Sequence, residues 1–218
     1  MLFSDRREAG LELANMLEQR FGSALVNNSE SVVIAIPRGG VETGDAVAQY
    51  LGIGMDVVVS RKVGAPYNSE LAIGAVTPDG RFYANEDLIE ATGATKAYIE
   101  EQVAVQKKEI ERRLYKFRGS TEYNLKGRTV VLVDDGVATG ATILAAVEWL
   151  KKLMPKRLIV AVPVGSISAM EALKSAVADV VSLYTPASFE AVGQFYSDFA
   201  QVEDDQVVQI MKKYRHQD

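Results

Sequence analysis

Residues 130–142 read VVLVDDGVATGAT. Thr129 and the four apolar residues after it suit a strand buried on both faces. Such strands belong to parallel sheets whose helical crossovers cover both sides. The strand ends in two adjacent carboxylates, Asp134 and Asp135, and a loop of small residues then opens a helix carrying Ile143, Val147, Leu150 and Met154. In open parallel sheets, ligands bind beyond the carboxyl ends of the strands. Ala138, Thr139, Gly140, Ala141 and Thr142 have little side-chain bulk, so their backbone N–H groups can wrap a phosphate at a helix N-terminus. The hydroxyls of Thr139 and Thr142 add donors. Ionised Asp134 and Asp135 only accept, which suits sugar hydroxyls or a hydrated Mg²⁺. An acidic turn capping the helix would explain Asp-Asp-Gly, but it leaves the Thr-Gly-Ala-Thr that follows without a purpose.

Outward from this stretch, strands alternate with helices. Residues 31–36 (SVVIAI) read as a buried strand ending at Pro37-Arg38-Gly39-Gly40, and the next helix turns Val41, Ala48 and Leu51 inward. Residues 55–60 (MDVVVS) give a second strand ending in Arg61-Lys62, and residues 63–70 (VGAPYNSE) a loop. Residues 71–76 and 81–84 pair as a hairpin about Thr77-Pro78-Asp79-Gly80. Asn85 caps a short helix ending near Gly93. A long helix over 95–117 carries Ile99, Val103, Ile110, Leu114 and Phe117 and stops at Gly119. Residues 157–162 and 179–183 are further strands, with Ser168 and Glu171 forming a capping box between them. Ser4 caps a first helix with Ala9, Leu13, Met16, Leu17 and Phe21 on one face. Residues 185–201 are irregular and 202–215 a terminal helix. The pattern predicts an α/β fold, a mostly parallel sheet flanked by helices, in a single domain over residues 1–218.

Bulk properties narrow the function. With 218 residues, 48% hydrophobic and 24% charged, the chain can bury a large core unaided. A net charge of −5 argues against a general nucleic-acid or membrane-surface binder. There is no cysteine, which excludes thiolate metal sites and fits a reducing compartment. MLFSDRREAG is charged by position 5 and has no apolar h-region, so no signal peptide is expected, and a cytoplasmic location is the default. No G-x-x-x-x-G-K-[ST] occurs and no G-x-G-x-x-G follows a strand, which excludes P-loop and dinucleotide sites. A receiver domain also uses an Asp pair, but near its first strand. His216, in the polar tail YRHQD, is not catalytic, and Trp149 packs. Lys107, Lys108, Arg112, Arg113, Lys116 and Arg118, interrupted by Glu109 and Glu111, read as a solvated helix face.

Residues 130–142 resemble the signature by which type I phosphoribosyltransferases bind 5-phosphoribosyl-1-pyrophosphate (PRPP). The resemblance implies that family's core over about 30–184, with a small hood from about 185–201 and the termini. It implies that Asp134 and Asp135 hold the ribose hydroxyls and, through water, Mg²⁺, while Ala138, Thr139, Gly140, Ala141 and Thr142 hold the 5-phosphate. It also implies a pyrophosphate site from Arg38, Gly39 and Gly40, in the loop after the first core strand that often carries a non-proline cis peptide, together with Arg61 and Lys62 at the end of the next strand. Residues 63–70 match the family's mobile loop. Arg38 and Glu70 are the candidates for catalysis, and Phe195 and Tyr196 for contact with the base. Ala138 stands where hypoxanthine and guanine members carry an Asp, so the acceptor stays open. Gly136 replaces a bulkier apolar residue, which would loosen the turn. The implied activity is Mg²⁺-dependent transfer of phosphoribose from PRPP to a small nitrogenous base. The alternative is a non-catalytic PRPP sensor, and a homo-oligomer, commonly a homodimer, is expected.

Overall fold

The computed structural model describes residues 2–214. Residues 215–218, with His216, lie outside the described residues, and the terminal helix expected over 202–215 is shorter, running Asp204–Met211.

Five strands form a parallel sheet: β1 (Ser31–Ala35), β2 (Gly54–Val57), β6 (Thr129–Val133), β7 (Arg157–Val164) and β8 (Asp179–Tyr184). Their order is β2-β1-β6-β7-β8, with Ile34 opposite Leu132 and Ala35 opposite Val133. Alternation along each strand assigns its side chains to two cores. Val33, Ala35, Val131, Val133, Ile159 and Ala161 join one cluster, while Val32, Ile34, Val130, Leu132, Val160 and Val162 join the other. The first is covered by α1 (Arg6–Phe21), α2 (Gly39–Leu51), α4 (Lys96–Arg118) and α7 (Asp204–Met211), the second by α5 (Ala141–Lys152) and α6 (Ile167–Ala176). The central strands β1 and β6 are buried along their whole length and almost wholly apolar because both faces are covered, whereas the edge strands β2 and β8 are half-buried and carry Asp56, and Asp179 and Ser182.

A second, antiparallel sheet of three strands stands beside the first: β3 (Arg61–Ala65), β4 (Asn68–Val76) and β5 (Phe82–Ala84). Residues 63–70 are not a loop. They are two paired strands joined at Pro66-Tyr67, with register shifts around Gly64. Gly, Pro, Asn and Ser are what a bulge and a tight turn require, so this composition hid a hairpin. Arg61 and Lys62 accordingly begin β3 and do not end β2, which stops at Val57.

The expected turn at residues 77–80 is present, with the Gly80 amide donating to Thr77 O at 2.8 Å. Asn85 caps α3 (Glu86–Thr92), and Thr95 and Gly119 bracket α4. Two caps fall elsewhere. Asp5, not Ser4, caps α1, and Ser166, not Ser168, caps α6 by accepting from the Ala169 amide. Met16 is exposed, because α1 seats its small residues Gly10 and Ala14 on α2. A Cβ on Gly10 would stand 2.6 Å from Thr43 O. Met154 lies beyond α5 and is exposed. Trp149 packs edge-on against Tyr123 with ring centroids 4.6 Å apart.

Candidate active site

The chain leaves β1 toward β2 on one side, while β6, β7 and β8 proceed in the opposite direction. The point of reversal lies between β1 and β6, and a crevice opens there beyond the strand ends. Two loops line it. Ile36 N–H donates to Val133 O at 2.9 Å, so the loop after β1 is held against the loop after β6. Contact between them is close enough to require glycine. A Cβ on Gly39 would collide with the Asp135 carboxylate, and one on Gly40 would lie 2.7 Å from Asp134 Oδ1 and 2.9 Å from Asp134 Cα. The peptide between Pro37 and Arg38 is cis.

The loop after β6 is anchored along its outer edge. Val137 N–H donates to Val164 O, Ser166 N–H donates to Val137 O, both at 2.9 Å, and Ser166 Oγ donates to Ala138 O at 2.5 Å. Beyond that anchor, among the described residues, none of the amides of Ala138, Thr139, Gly140, Ala141 or Thr142 donates to a protein acceptor. Gly140 starts α5 in the left-handed region at φ 82°, and no side chain caps the helix. A row of unmet donors at the positive end of a helix is able to receive an anion. Gly136 does not loosen the turn, since Val192 occupies the space its missing side chain leaves.

The two carboxylates are partly committed. Asp134 Oδ1 accepts the Asp135 amide at 2.9 Å, and Asp135 Oδ2 accepts Arg6 Nε at 2.7 Å. Asp134 Oδ2 and Asp135 Oδ1 have no protein donor among the described residues. Burial pushes the Asp134 carboxyl well above the usual carboxylate range, and the neighbouring Asp135 pushes it further. Asp135 is also raised by burial, against the lowering effect of Arg6. No group of three or more His, Cys, Asp or Glu able to hold a metal occurs among the described residues.

The expected cations fall into two groups. Arg38 and Arg61 come within electrostatic reach of one another. Burial lowers the Arg61 pKa, and Arg113 and Arg38 act in the same direction. Arg61 Nε donates to Gln106 at 3.0 Å, and Arg38 pairs with Glu203 at 3.3 Å and Asp204 at 3.7 Å. Lys62 instead pairs across the hairpin with Glu70 at 2.9 Å. Glu70 helps line a cavity of about 530 Å³ that also touches Thr139, Ala141 and Leu144.

Phe195 and Tyr196 are packed inward. They are 8% and 1% exposed and form a small core with Phe3 and Val164, so their faces serve packing. Tyr196 Oη donates to Asp135 O at 2.5 Å, which makes it a support of the acid pair. On α4, Glu109 binds both Arg112 and Arg113, Lys116 meets Asp204 and Asp205, and Arg118 forks onto Asp56.

The residue that sequence reading missed is Arg6. It sits three and seven positions before Ala9 and Leu13, on the buried face of α1, and a charge on that face was the available signal.

Comparison with known proteins places the chain in a family. Residues 4–200 match the family described as "Phosphoribosyl transferase domain". A Mycobacterium tuberculosis (strain H37Rv) protein named "Putative phosphoribosyl transferase Rv0571c" is 39% identical over 213 residues, 97% of this chain and 47% of that protein. The chain thus spans about half the length of the curated relatives it matches. The crystal structure of TT1426 from Thermus thermophilus is 41% identical, with a TM-score of 0.80 covering 98% of this chain and 99% of that one. A purine phosphoribosyltransferase from Pyrococcus horikoshii, at 16% identity and TM-score 0.50 over 93% of this chain and 97% of that one, shares the fold. With the type I sheet in place and the match running through both loops of the crevice, the chain belongs to the phosphoribosyl transferase domain family.

Proposed function

We propose that this chain transfers the 5-phosphoribosyl group of PRPP to a small nitrogenous base and releases pyrophosphate. The supporting observation is one juxtaposition: unmet amides at the start of α5 beside a carboxylate pair with one free oxygen on each member. A 5-phosphate fits the amides, and two sugar hydroxyls fit the two free oxygens. The C1–O bond to pyrophosphate breaks, a C1–N bond forms, and the nitrogen's proton leaves to solvent. No protein nucleophile is needed, so the protein acts by orienting the reactants and stabilising the charge of the leaving group.

Arg38 and Arg61 are the cations for pyrophosphate. Glu203 and Asp204 hold Arg38, so pyrophosphate must compete with them for the guanidinium. Two carboxylates suit Mg²⁺, which keeps several waters and takes its other ligands from substrate oxygens. Asp134 and Asp135 would hold it through water, and the ion would supply charge neutralisation at the pyrophosphate.

Calorimetric titration of PRPP with Mg²⁺ tests the reading. The wild type is expected to bind, and a double variant, Asp134→Asn with Asp135→Asn, to lose at least about 100-fold in affinity, two charged hydrogen bonds being removed. Pyrophosphate release in a screen of bases then identifies the acceptor. No binding by the wild type would sink the proposal.

A further inference from the structure

Arg6 is 7% exposed and lies in the first turn of α1, 129 positions from the carboxylate it contacts. Its Nε donates to Asp135 Oδ2 at 2.7 Å, one terminal nitrogen donates to Ala200 O at 2.8 Å and lies 3.5 Å from Glu42, and the guanidinium stacks 3.9 Å from the Phe199 ring centroid. A buried arginine with this many partners is fixed in place, because its planar fork leaves little freedom once two donors are engaged.

Tying the chain ends together would not by itself require the bond to Asp135. Residues 2–4 already join 195–198 through main-chain bonds from Leu2 and Phe3 to Phe195 O, from Ser197 to Phe3 O and from Asp198 to Ser4 O. What the Arg6 bond adds is an assignment of oxygens. It takes Asp135 Oδ2, just as the Asp135 amide takes Asp134 Oδ1, and it leaves one acceptor on each of two adjacent carboxylates. Gly39 packs beside the same oxygen, and while Arg6 holds that oxygen the carboxylate does not turn to offer Oδ2 instead.

We propose that Arg6 is a positioning residue that makes the acid pair selective for a vicinal diol, two hydroxyls on neighbouring carbons, over a single hydroxyl. The inference rests on the proposed reading of the pair as the ribose site. It extends that reading by assigning the selectivity to a residue outside both crevice loops. Without Arg6, the Asp135 carboxylate can rotate or turn away, and the second hydroxyl loses its fixed acceptor.

The test compares the affinities of ribose 5-phosphate and 2-deoxyribose 5-phosphate by calorimetry, without metal, for the wild type, Arg6→Met and Arg6→Gln. The wild type should prefer ribose 5-phosphate by about 10- to 100-fold, the worth of one hydrogen bond to a charged group. Arg6→Met should reduce that preference to about threefold or less while keeping its affinity for inorganic phosphate. Arg6→Gln, which retains one donor, should fall between, and it carries the test if Arg6→Met does not fold. A purely structural role would weaken both sugar phosphates alike and leave their ratio unchanged, and that result overturns the inference alone. Failure of the wild type to bind or distinguish the two sugars overturns the ribose-site reading, and this inference with it.

Discussion

Two arginine–carboxylate clusters in this molecule have nearly the same contact geometry and opposite electrostatics. On α4, Glu109 accepts from Arg112 at 2.7 Å and from Arg113 at 2.6 Å. In the crevice, Asp135 accepts from Arg6 at 2.7 Å. The Arg112 hydrogen bond, joined by that of Arg113, pulls the Glu109 carboxyl down to about 2, so its charge is favoured by folding. Asp135 is raised, because burial outweighs a single arginine, and Asp134 beside it is raised further by burial and by its neighbour. A carboxylate on a solvated helix with two cations stabilises the fold. A buried pair with one cation between them is a charge the fold would shed. Such charges persist where a ligand uses them.

The contrast breaks first at Gly40, where the largest effect is expected. Gly40→Ala places a methyl group against Asp134 Oδ1 and Cα and 3.2 Å from Val133 O, most of it backbone that cannot yield. Overpacking of this kind costs about 1–3 kcal/mol. Displacement of Asp134 should lower PRPP affinity by about 10- to 100-fold, the worth of one charged hydrogen bond. Thermal melts and calorimetry read the two losses separately. Wild-type affinity in the variant would mean that the two loops do not meet as described.

Asp134→Asn sharpens the contrast in the opposite direction. The raised carboxyl takes up its proton more readily in the folded than in the unfolded chain. Its favourable contribution is therefore complete below the unfolded value near 3.8 and is lost as pH rises through the folded value. The amide keeps an acceptor for the Asp135 N–H and carries no charge. We expect Asp134→Asn to be more stable than wild type at pH 7, by on the order of 1 kcal/mol or about 2–4 °C in Tm, with no gain at pH 3. It should bind PRPP poorly throughout. A variant less stable at pH 7 would show that the buried charge is not a burden on the fold.

How far the sequence reveals all this depends on which interactions are local. The central parallel strands are legible because burial on both faces leaves runs such as residues 130–133 with no polar interruption. The acid pair and the small-residue loop with its unmet amides are legible because both lie in one segment of a dozen residues. Arg6 was not, because its partner is 129 positions away and nothing in Asp5-Arg6-Arg7 distinguishes the buried arginine except its helical phase. Phe195 and Tyr196 looked free to meet a base because an irregular aromatic segment has no periodicity to show that it folds inward. Only the pairing of Phe3 with Tyr196 reveals it. Residues 63–70 look like a loop in sequence because the composition of a bulge and a tight turn is also the composition of a loop.

The smallest expected effect lies at the stabilising end of the contrast. Glu109 is depressed from 4.5 to about 2, so its contribution is present above pH 4.5 and disappears as the pH falls toward 2. It is a partly exposed pair of three- and four-residue helical contacts, for which solvent screening limits the gain to about 0.5–1 kcal/mol. Glu109→Gln should therefore lower stability by that amount at pH 7 and match the wild type at pH 2, with PRPP affinity unchanged at either pH where the protein stays folded. Denaturant midpoints at a series of pH values check it. If Glu109→Gln also weakened PRPP binding, the α4 arginines would belong to the pyrophosphate site through Arg61, which Arg113 already influences, and the two clusters would be one electrostatic unit. Unchanged affinity would leave them as two ways of pairing a carboxylate with an arginine, a partly exposed one that serves the fold and a buried one for the proposed ligand.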